Sequence, residues 1–283
     1  MLNFTTPPRN VPLSLQVSNL FNGIAQIGWA VFGFGMIFFW AFVSNGDYSF
    51  ITFRGPFEHA TGKMVSVVDT GARENRQSIS ACHYEYSVAG YSFSGTSYTN
   101  GSAGTQGDNV DVEYQAGHPE KSRIAGMRRA MFGPFVLFVV IFPAIGLILL
   151  VVAMRIGMKR NHVLREGVFT TGVLKDIQPT NMQVNRQTVM ALTFEFTARD
   201  GQRHEVEART TNPARLQDEA QEPLLYDPNN PTKAWVLDDA PARPAMGMNG
   251  ELVGSPVRAF AFSILPALVI AANAFAVYWK FLR

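Results

Sequence analysis

Three runs of roughly 20 residues without a charged side chain constrain this chain more than any other feature, because an uninterrupted apolar segment of that length matches a bilayer's hydrocarbon core. The first lies within the uncharged stretch between Arg9 and Asp47 and is apolar from Gly23 to Val43, ending in Phe38, Phe39, Trp40 and Phe42. The second runs from Ala130 to Met154, with Arg128 and Arg129 before it and Arg155, Lys159 and Arg160 after it. The third runs from Ala259 to Trp279, between Arg258 and Lys280. Helices buried in a soluble core average about 11 to 12 residues and keep a polar face, so these segments predict three transmembrane helices.

Composition fits that reading. Charged residues make up 16% of the chain and there are 22 phenylalanines, whereas soluble domains carry about 25% charge. The first run starts late, is long and lacks a basic lead, so it reads as a span and not as a cleaved leader. Val11 to Phe21 reads as an interfacial lead-in helix. Pro143, with Gly146 nearby, predicts a kink in the middle of the second span.

Between the spans the chain repeats itself. At an offset of 110 residues, Thr61–Ser87 aligns without gaps on Thr171–Thr197, with identities at Thr61, Gly62, Thr70, Asn75, Arg76, Gln77, Ala81 and Glu85. Tyr84 then meets Phe194 and Tyr86 meets Phe196, while an offset of 112 pairs Tyr114 with Tyr226 and Pro119 with Pro231. Both copies read as short strands. Gly62–Asp69 and Ser78–Val88 carry β-branched and aromatic residues, Ala89-Gly90 and Arg199-Asp200-Gly201 read as hairpin turns, and each copy closes with a strand, a proline turn and a last strand.

The expected fold class is therefore a membrane α + β protein: three transmembrane helices and two duplicated small all-β domains, each a curled sheet or barrel. The expected boundaries are a lead-in over 1–20, spans over 21–45, 130–155 and 258–281, and β-domains over 54–125 and 166–240.

The Gly62-led strand, the Phe194-Glu195-Phe196 strand, the Asp200-Gly201 turn and the run from Leu225 through Tyr226, Asp227, Pro228, Asn229 and Asn230 to Pro231 carry a family likeness. With them the chain resembles the bacterial membrane family catalogued as domain of unknown function 3592, here in two tandem copies. Copy one departs from the pattern, reading Tyr114-Gln115-Ala116-Gly117-His118-Pro119 without the first proline. The resemblance implies a β-domain set between transmembrane helices in a bacterial membrane, and it implies no catalysis.

Cys82 adjoins His83, but neighbours on a strand point to opposite faces, so the cysteine reads as core. The histidines His59, His83, His118, His162 and His204 lack metal-ligand spacing, so no metal and no cofactor are expected. Gly101–Gly107 precedes neither a helix start nor a Lys-Ser/Thr pair, unlike a phosphate-binding loop. Asn75-Arg76-Gln77 and Asn185-Arg186-Gln187 read as turns, and Tyr84, Tyr86, Tyr91, Phe93 and Tyr98 as cross-strand packing. A net charge of +2 argues against a nucleic-acid partner.

Arg128, Arg129, Arg155, Lys159 and Arg160 are the candidate lipid-headgroup contacts, flanking one span on both sides. Inside the spans, Gln26 and Asn273 predict helix association through hydrogen bonds, and Gly28, Gly33 and Gly35 predict close helix approach. No charge interrupts a span, which argues against an ion pathway.

These features predict a non-enzymatic component of the bacterial inner membrane that contacts the bilayer and binds envelope proteins or itself. The rivals are an accessory subunit of a transporter and a membrane-embedded hydrolase or transferase. Three crossings would set the two β-domains in opposite compartments. Basic residues near the span ends tie, with Arg9, Arg155, Lys159, Arg160, Arg165, Arg243 and Arg258 against Arg54, Lys121, Arg123, Arg128, Arg129, Lys280 and Arg283. The tight basic cluster from Arg155 to Arg165 favours a cytoplasmic amino terminus and a cytoplasmic second domain.

Overall fold

The computed structural model describes residues 5–239, 244–247 and 250–282. The first four residues of the expected lead-in, residue 240 of the second domain, and Arg243 and Arg283 of the charge count lie outside the described residues. The chain divides into two compact units, one formed by Met1–Gly33 with Ala144–Arg283, the other by Phe34–Pro143.

In chain order, α1 (Leu13–Phe21), α2 (Ile24–Ala41) and the one-turn α3 (Ser49–Thr52) lead into β1 (Phe57–Glu74), β2 (Gln77–Val88), β3 (Tyr91–Thr99), β4 (Asn109–Gln115) and β5 (His118–Ile124). A 3-10 segment, Pro134–Val140, opens α4 (Ile141–Glu166). There follow β6 (Val168–Val184), β7 (Gln187–Thr197), β8 (Arg203–Thr210), β9 (Glu222–Asp227) and β10 (Asn230–Val236), a two-residue hairpin of β11 (Ala245–Met246) and β12 (Leu252–Val253), and α5 (Pro256–Phe281). Three helical stretches are long and apolar enough to cross a membrane: Ile24–Asn45, Pro134–Glu166 and Pro256–Phe281.

The two five-stranded antiparallel sheets have equivalent strand orders, β3-β2-β1-β4-β5 and β8-β7-β6-β9-β10. Their registers agree to the residue. Met64 pairs with Tyr84 and Leu174 with Phe194; the register then slips between Met64 and Ser66 and between Leu174 and Asp176, and slips again between Asp69 and Arg73 and between Pro179 and Gln183. Tyr114 pairs with Glu58, and Tyr226 with Val168.

Gly62 and Gly172 recur for a steric reason. A Cβ on Gly62 would lie 2.7 Å from Val112 Cγ2, and one on Gly172 would lie 2.7 Å from Leu224 Cδ2, so each glycine makes room for the core side chain of the neighbouring strand. One core holds Met64, Cys82, Tyr84, Tyr86, Val112 and Ile124. The other holds Leu192, Phe194, Phe196, Leu224, Tyr226 and Val236. In the first sheet the end strands β3 and β5 meet, where Ser97 Oγ accepts a hydrogen bond from the Ile124 N–H at 2.8 Å.

Both Asn-Arg motifs form two-residue turns in the left-handed region, with φ of 51° and 67° at Asn75 and Arg76 and of 52° and 63° at Asn185 and Arg186. Positive φ at both central positions gives the twist that a tight hairpin needs. Strands β1 and β6 run well beyond the expected Gly62–Asp69 segment and its counterpart. Phe57–Lys63 forms a ladder with β4, about 50 residues away, which no local pattern announces.

Two expectations need correcting. Pro143 does not kink the middle of the second span. It is the third residue of α4, preceded by the 3-10 turns. Proline is tolerated in a first turn, where its missing N–H costs least, so the α-helical winding begins around it. Helix α4 itself runs on to Glu166. In copy one the turn is made by Ala116 and Gly117, and Pro119 lies inside β5.

The glycines of the first span do permit close approach. A Cβ on Gly33 would lie 2.7 Å from Val269 Cγ2 of α5, and one on Gly35 would lie 2.6 Å from Pro143 Cδ. Gly28 faces Leu150 at 3.1 Å. Helix α1 forms as expected. Its Leu15, with Val11 just ahead of it, is buried in a core with Val163, Leu164, Leu225 and Trp235.

Candidate functional site

The polar cleft with the clearest construction lies where the segment before α1 meets the last turns of α4. It encloses about 590 Å³ and is lined by Arg9, Asn10, Gln16, Asn161, His162 and Arg165, with Pro8 and Val11 at its wall. The segment is held by Arg9, which is 5% exposed. Its Nη1 donates to the carbonyls of Gly167 at 2.7 Å and Leu164 at 3.3 Å, its Nε donates to Thr5 O at 2.7 Å, and its backbone N–H donates to Arg165 O at 2.8 Å.

The last carbonyls of a helix have no intrahelical donor and carry the negative end of its dipole, so a cation there satisfies both. Burial pushes the Arg9 guanidinium below its ordinary range, though an arginine stays charged at any physiological pH. Amides complete the floor: Asn19 Nδ2 donates to Asn161 Oδ1 at 2.8 Å, Asn161 Nδ2 to Gln16 O at 3.3 Å, and Gln16 Nε2 to Val11 O at 2.8 Å. His162 reaches the buried Asp227 at 3.5 Å, and Arg165 pairs loosely with Glu166 at 3.3 Å. With Arg9, His162 and Arg165 and no acid among the described residues of its lining, the cleft suits an anionic group at the end of a membrane-length helix.

The five candidate headgroup residues divide into two kinds. Arg155 and Lys159 are exposed on α4. Arg128, Arg129 and Arg160 are engaged with the protein: Arg128 Nη1 donates to Glu74 Oε2 at 2.6 Å, Arg129 stacks on Phe53 at 4.8 Å, and Arg160 stacks on Trp235 at 5.3 Å. Arg129 also gives its backbone N–H to Asp47 Oδ2 at 3.0 Å. Asp47 is a buried anchor that sequence reasoning passed over because an isolated acid after an apolar run has no pattern.

Cys82 and His83 face opposite sides of β2. Cys82 is fully buried, its thiol pushed up by burial, while His83 Nδ1 meets Thr96 Oγ1 at 2.9 Å on the other face. Neither can activate the other. His59, His118 and His162 have separate carboxylate neighbours in Asp111, Glu120 and Asp227. His204 packs on Phe196 with ring centroids 5.8 Å apart. Of the five aromatics, Tyr84 and Tyr86 are buried, Phe93 packs on Tyr86 at 5.7 Å, and only Tyr91 projects freely, at 73% exposure. They form a core edge, not a stacking platform.

Inside the helices, Gln26 Nε2 donates to Phe262 O of α5 at 2.8 Å and to Phe21 O at 2.6 Å, which bears out helix association through this side chain. Asn273 Nδ2 donates to Val269 O within its own helix at 2.8 Å. Compared with protein-family models, with curated proteins and with solved structures, the chain has no match in any of the three.

Proposed function

We propose that this chain is a multi-pass protein of the bacterial inner membrane, without catalytic chemistry of its own, whose two β-domains are copies of one curled, nearly closed barrel that bind or organise other envelope components. The observation that carries the reading is the surface of the apolar helices. In the third candidate span only 6% of the window is buried, and Phe260, Leu268, Ile270 and Phe275 point outward. A surface so continuously apolar is stable only in an apolar medium or against other apolar protein.

The common register of the two sheets supports duplication, and the separation of Cys82 from His83 speaks for binding over catalysis. The basic cleft and the exposed Arg155 and Lys159 suit anionic headgroups at one end of the second span. Membership of the family of domain of unknown function 3592 rests on the strand and turn motifs alone.

Two measurements test this. Alkaline carbonate extraction of membranes should leave the chain in the pellet; release into the supernatant would reject the spanning reading. A deletion strain complemented with Cys82→Ser or His83→Ala should behave as wild type. Loss of complementation at normal protein level would restore the enzyme reading.

A further inference from the structure

The second sheet buries a carboxylate that no side chain among the described residues donates to. Glu222, the first residue of β9, is 1% exposed, and neither of its carboxylate oxygens has a partner within hydrogen-bond geometry among the described residues; the backbone N–H of Glu219 is the one donor near enough to favour its charged form. A buried ionised carboxylate without a partner is among the costliest groups a protein can hold. Two more acids converge on it. Asp218, in the exposed loop after the 3-10 turn Pro213–Leu216, and Asp238, in the 3-10 turn Leu237–Asp239 after β10, bring carboxylate oxygens within 4.8 Å of one another and of Glu222.

We propose that Asp218, Glu222 and Asp238 hold a hard divalent cation, Ca²⁺ or Mg²⁺. The spacing suits a shared cation, since all three carboxylates bring an oxygen within 4.8 Å of the others. Oxygens on opposite sides of Ca²⁺, each about 2.3–2.6 Å from the ion, stand up to about 5 Å apart, and around Mg²⁺ up to about 4.2 Å. An all-oxygen donor set also selects hard cations over zinc or copper.

Asp218 is exposed and opens the cluster to solvent, which gives an ion a way in and room for the waters that complete its shell. The charged surroundings agree. The Glu219 backbone N–H favours the charged form of Glu222 while its side chain adds a smaller negative field, and Arg215 lies where it partly offsets Asp238.

The site was not legible in the sequence. Asp218 lies in the acidic loop before β9 and Glu222 opens that strand, but the third ligand comes from beyond β10. Spacing rules written for histidine and cysteine do not see it.

The test uses the full chain, purified in mild detergent and stripped with EDTA. Thermal unfolding is followed while CaCl₂, MgCl₂ or NaCl of matched ionic strength is added. The expected result is a midpoint rise of a few degrees with the divalent ion, saturable, and absent with NaCl. If the ion is Ca²⁺, the half-maximal concentration is lower for CaCl₂ than for MgCl₂; the reverse order assigns Mg²⁺ to the same ligands. Glu222→Gln should weaken the response at least tenfold. Should that variant fold poorly, Asp218→Asn, at an exposed position, should weaken it comparably without lowering the ion-free midpoint. No rise with either divalent ion, or a wild-type response in both variants, overturns the proposal.

Discussion

Gln26 of α2 donates to the carbonyl of Phe262 in α5 at 2.8 Å, and that carbonyl is the one that Pro266, four residues on, leaves without its helical donor. A proline inside a membrane-length helix is tolerated when a neighbouring group satisfies the freed carbonyl. Here the single side-chain amide of α2 does so.

The substitution Gln26→Leu should therefore destabilise the helices by about 1–2 kcal/mol, the cost of an unmade hydrogen bond in apolar surroundings. Pro266→Ala restores the internal donor and should recover most of that loss, since the carbonyl then no longer needs Gln26. Thermal midpoints of the two single variants and the double variant in detergent form the cycle. Simple additivity would show that the amide and the proline are uncoupled.

What the sequence made legible here, and what it did not, follows from the range of each interaction. Gln26 stood out because an amide in an apolar run is conspicuous, and association through it was expected. Its partner was not, because the donor and the proline that creates the need for it are 240 residues apart. The strands of β2 and β7 were likewise visible from their own alternation, whereas the Phe57–Lys63 ladder with β4 depends on a distant edge. Pro143 misled for a local reason, since a proline near the middle of an apolar run reads as a kink when the actual start of the α-helical winding is unknown.

A matched pair of bonds tests the equivalence of the two sheets. Thr70 Oγ1 donates to Ile79 O at 2.7 Å, and Thr180 Oγ1 donates to Val189 O at 2.7 Å, each at the second register slip of its long strand. In both places the same hydroxyl also accepts from the amide two residues on, Ala72 at 3.3 Å and Met182 at 3.2 Å. A hydroxyl that serves both groups holds the bulge shut. Thr70→Val and Thr180→Val should each cost about 1 kcal/mol, while Thr→Ser at either place should cost less than half as much. Amide exchange at Ala72 and Met182 should accelerate in the corresponding valine variant alone. A large effect at one site and none at the other would break the equivalence.

The acidic cluster predicts a pH dependence in EDTA. The Glu222 carboxyl ionises near 4.5 in the unfolded chain and near 7 in the fold, chiefly through burial, and Asp239 moves from 3.8 to about 6, also chiefly through burial, with Arg160 and Arg215 opposing the shift. Between each pair of values the native state binds more protons than the unfolded one, so stability falls as pH rises through about 4 to 7. Glu222→Gln removes the larger share of that fall. The variant should match wild type near pH 4.5 and exceed it at pH 8, as thermal midpoints will show. A wild-type chain that gains stability from pH 5 to 8 without divalent ions would contradict the buried, unpartnered state of Glu222.

The prediction with the widest consequence is topological. Three crossings place consecutive loops on opposite sides, so one β-domain should face the cytoplasm and the other the extracytoplasmic space. The positive-inside count ties at seven residues a side, with Arg243 and Arg283 among them. The choice falls to the density of charge next to a span, where Arg155, Lys159, Arg160 and Arg165 crowd the end of α4. On the strength of that cluster, with the basic cleft beside it, the amino terminus and the second domain should lie in the cytoplasm and the first domain outside. Single cysteines at Asn100 and Asp200 in a Cys82→Ser background report this directly. The native thiol is fully buried and its removal costs little, so the background should fold. Asn100 follows β3 and Asp200 lies in the β7–β8 turn, where it is exposed. On intact cells, an impermeant thiol reagent should label the Asn100 variant and spare the Asp200 variant, which should react only after the cells are opened. The opposite pattern would invert the orientation, and labelling at both sites would mean that the second apolar stretch does not cross.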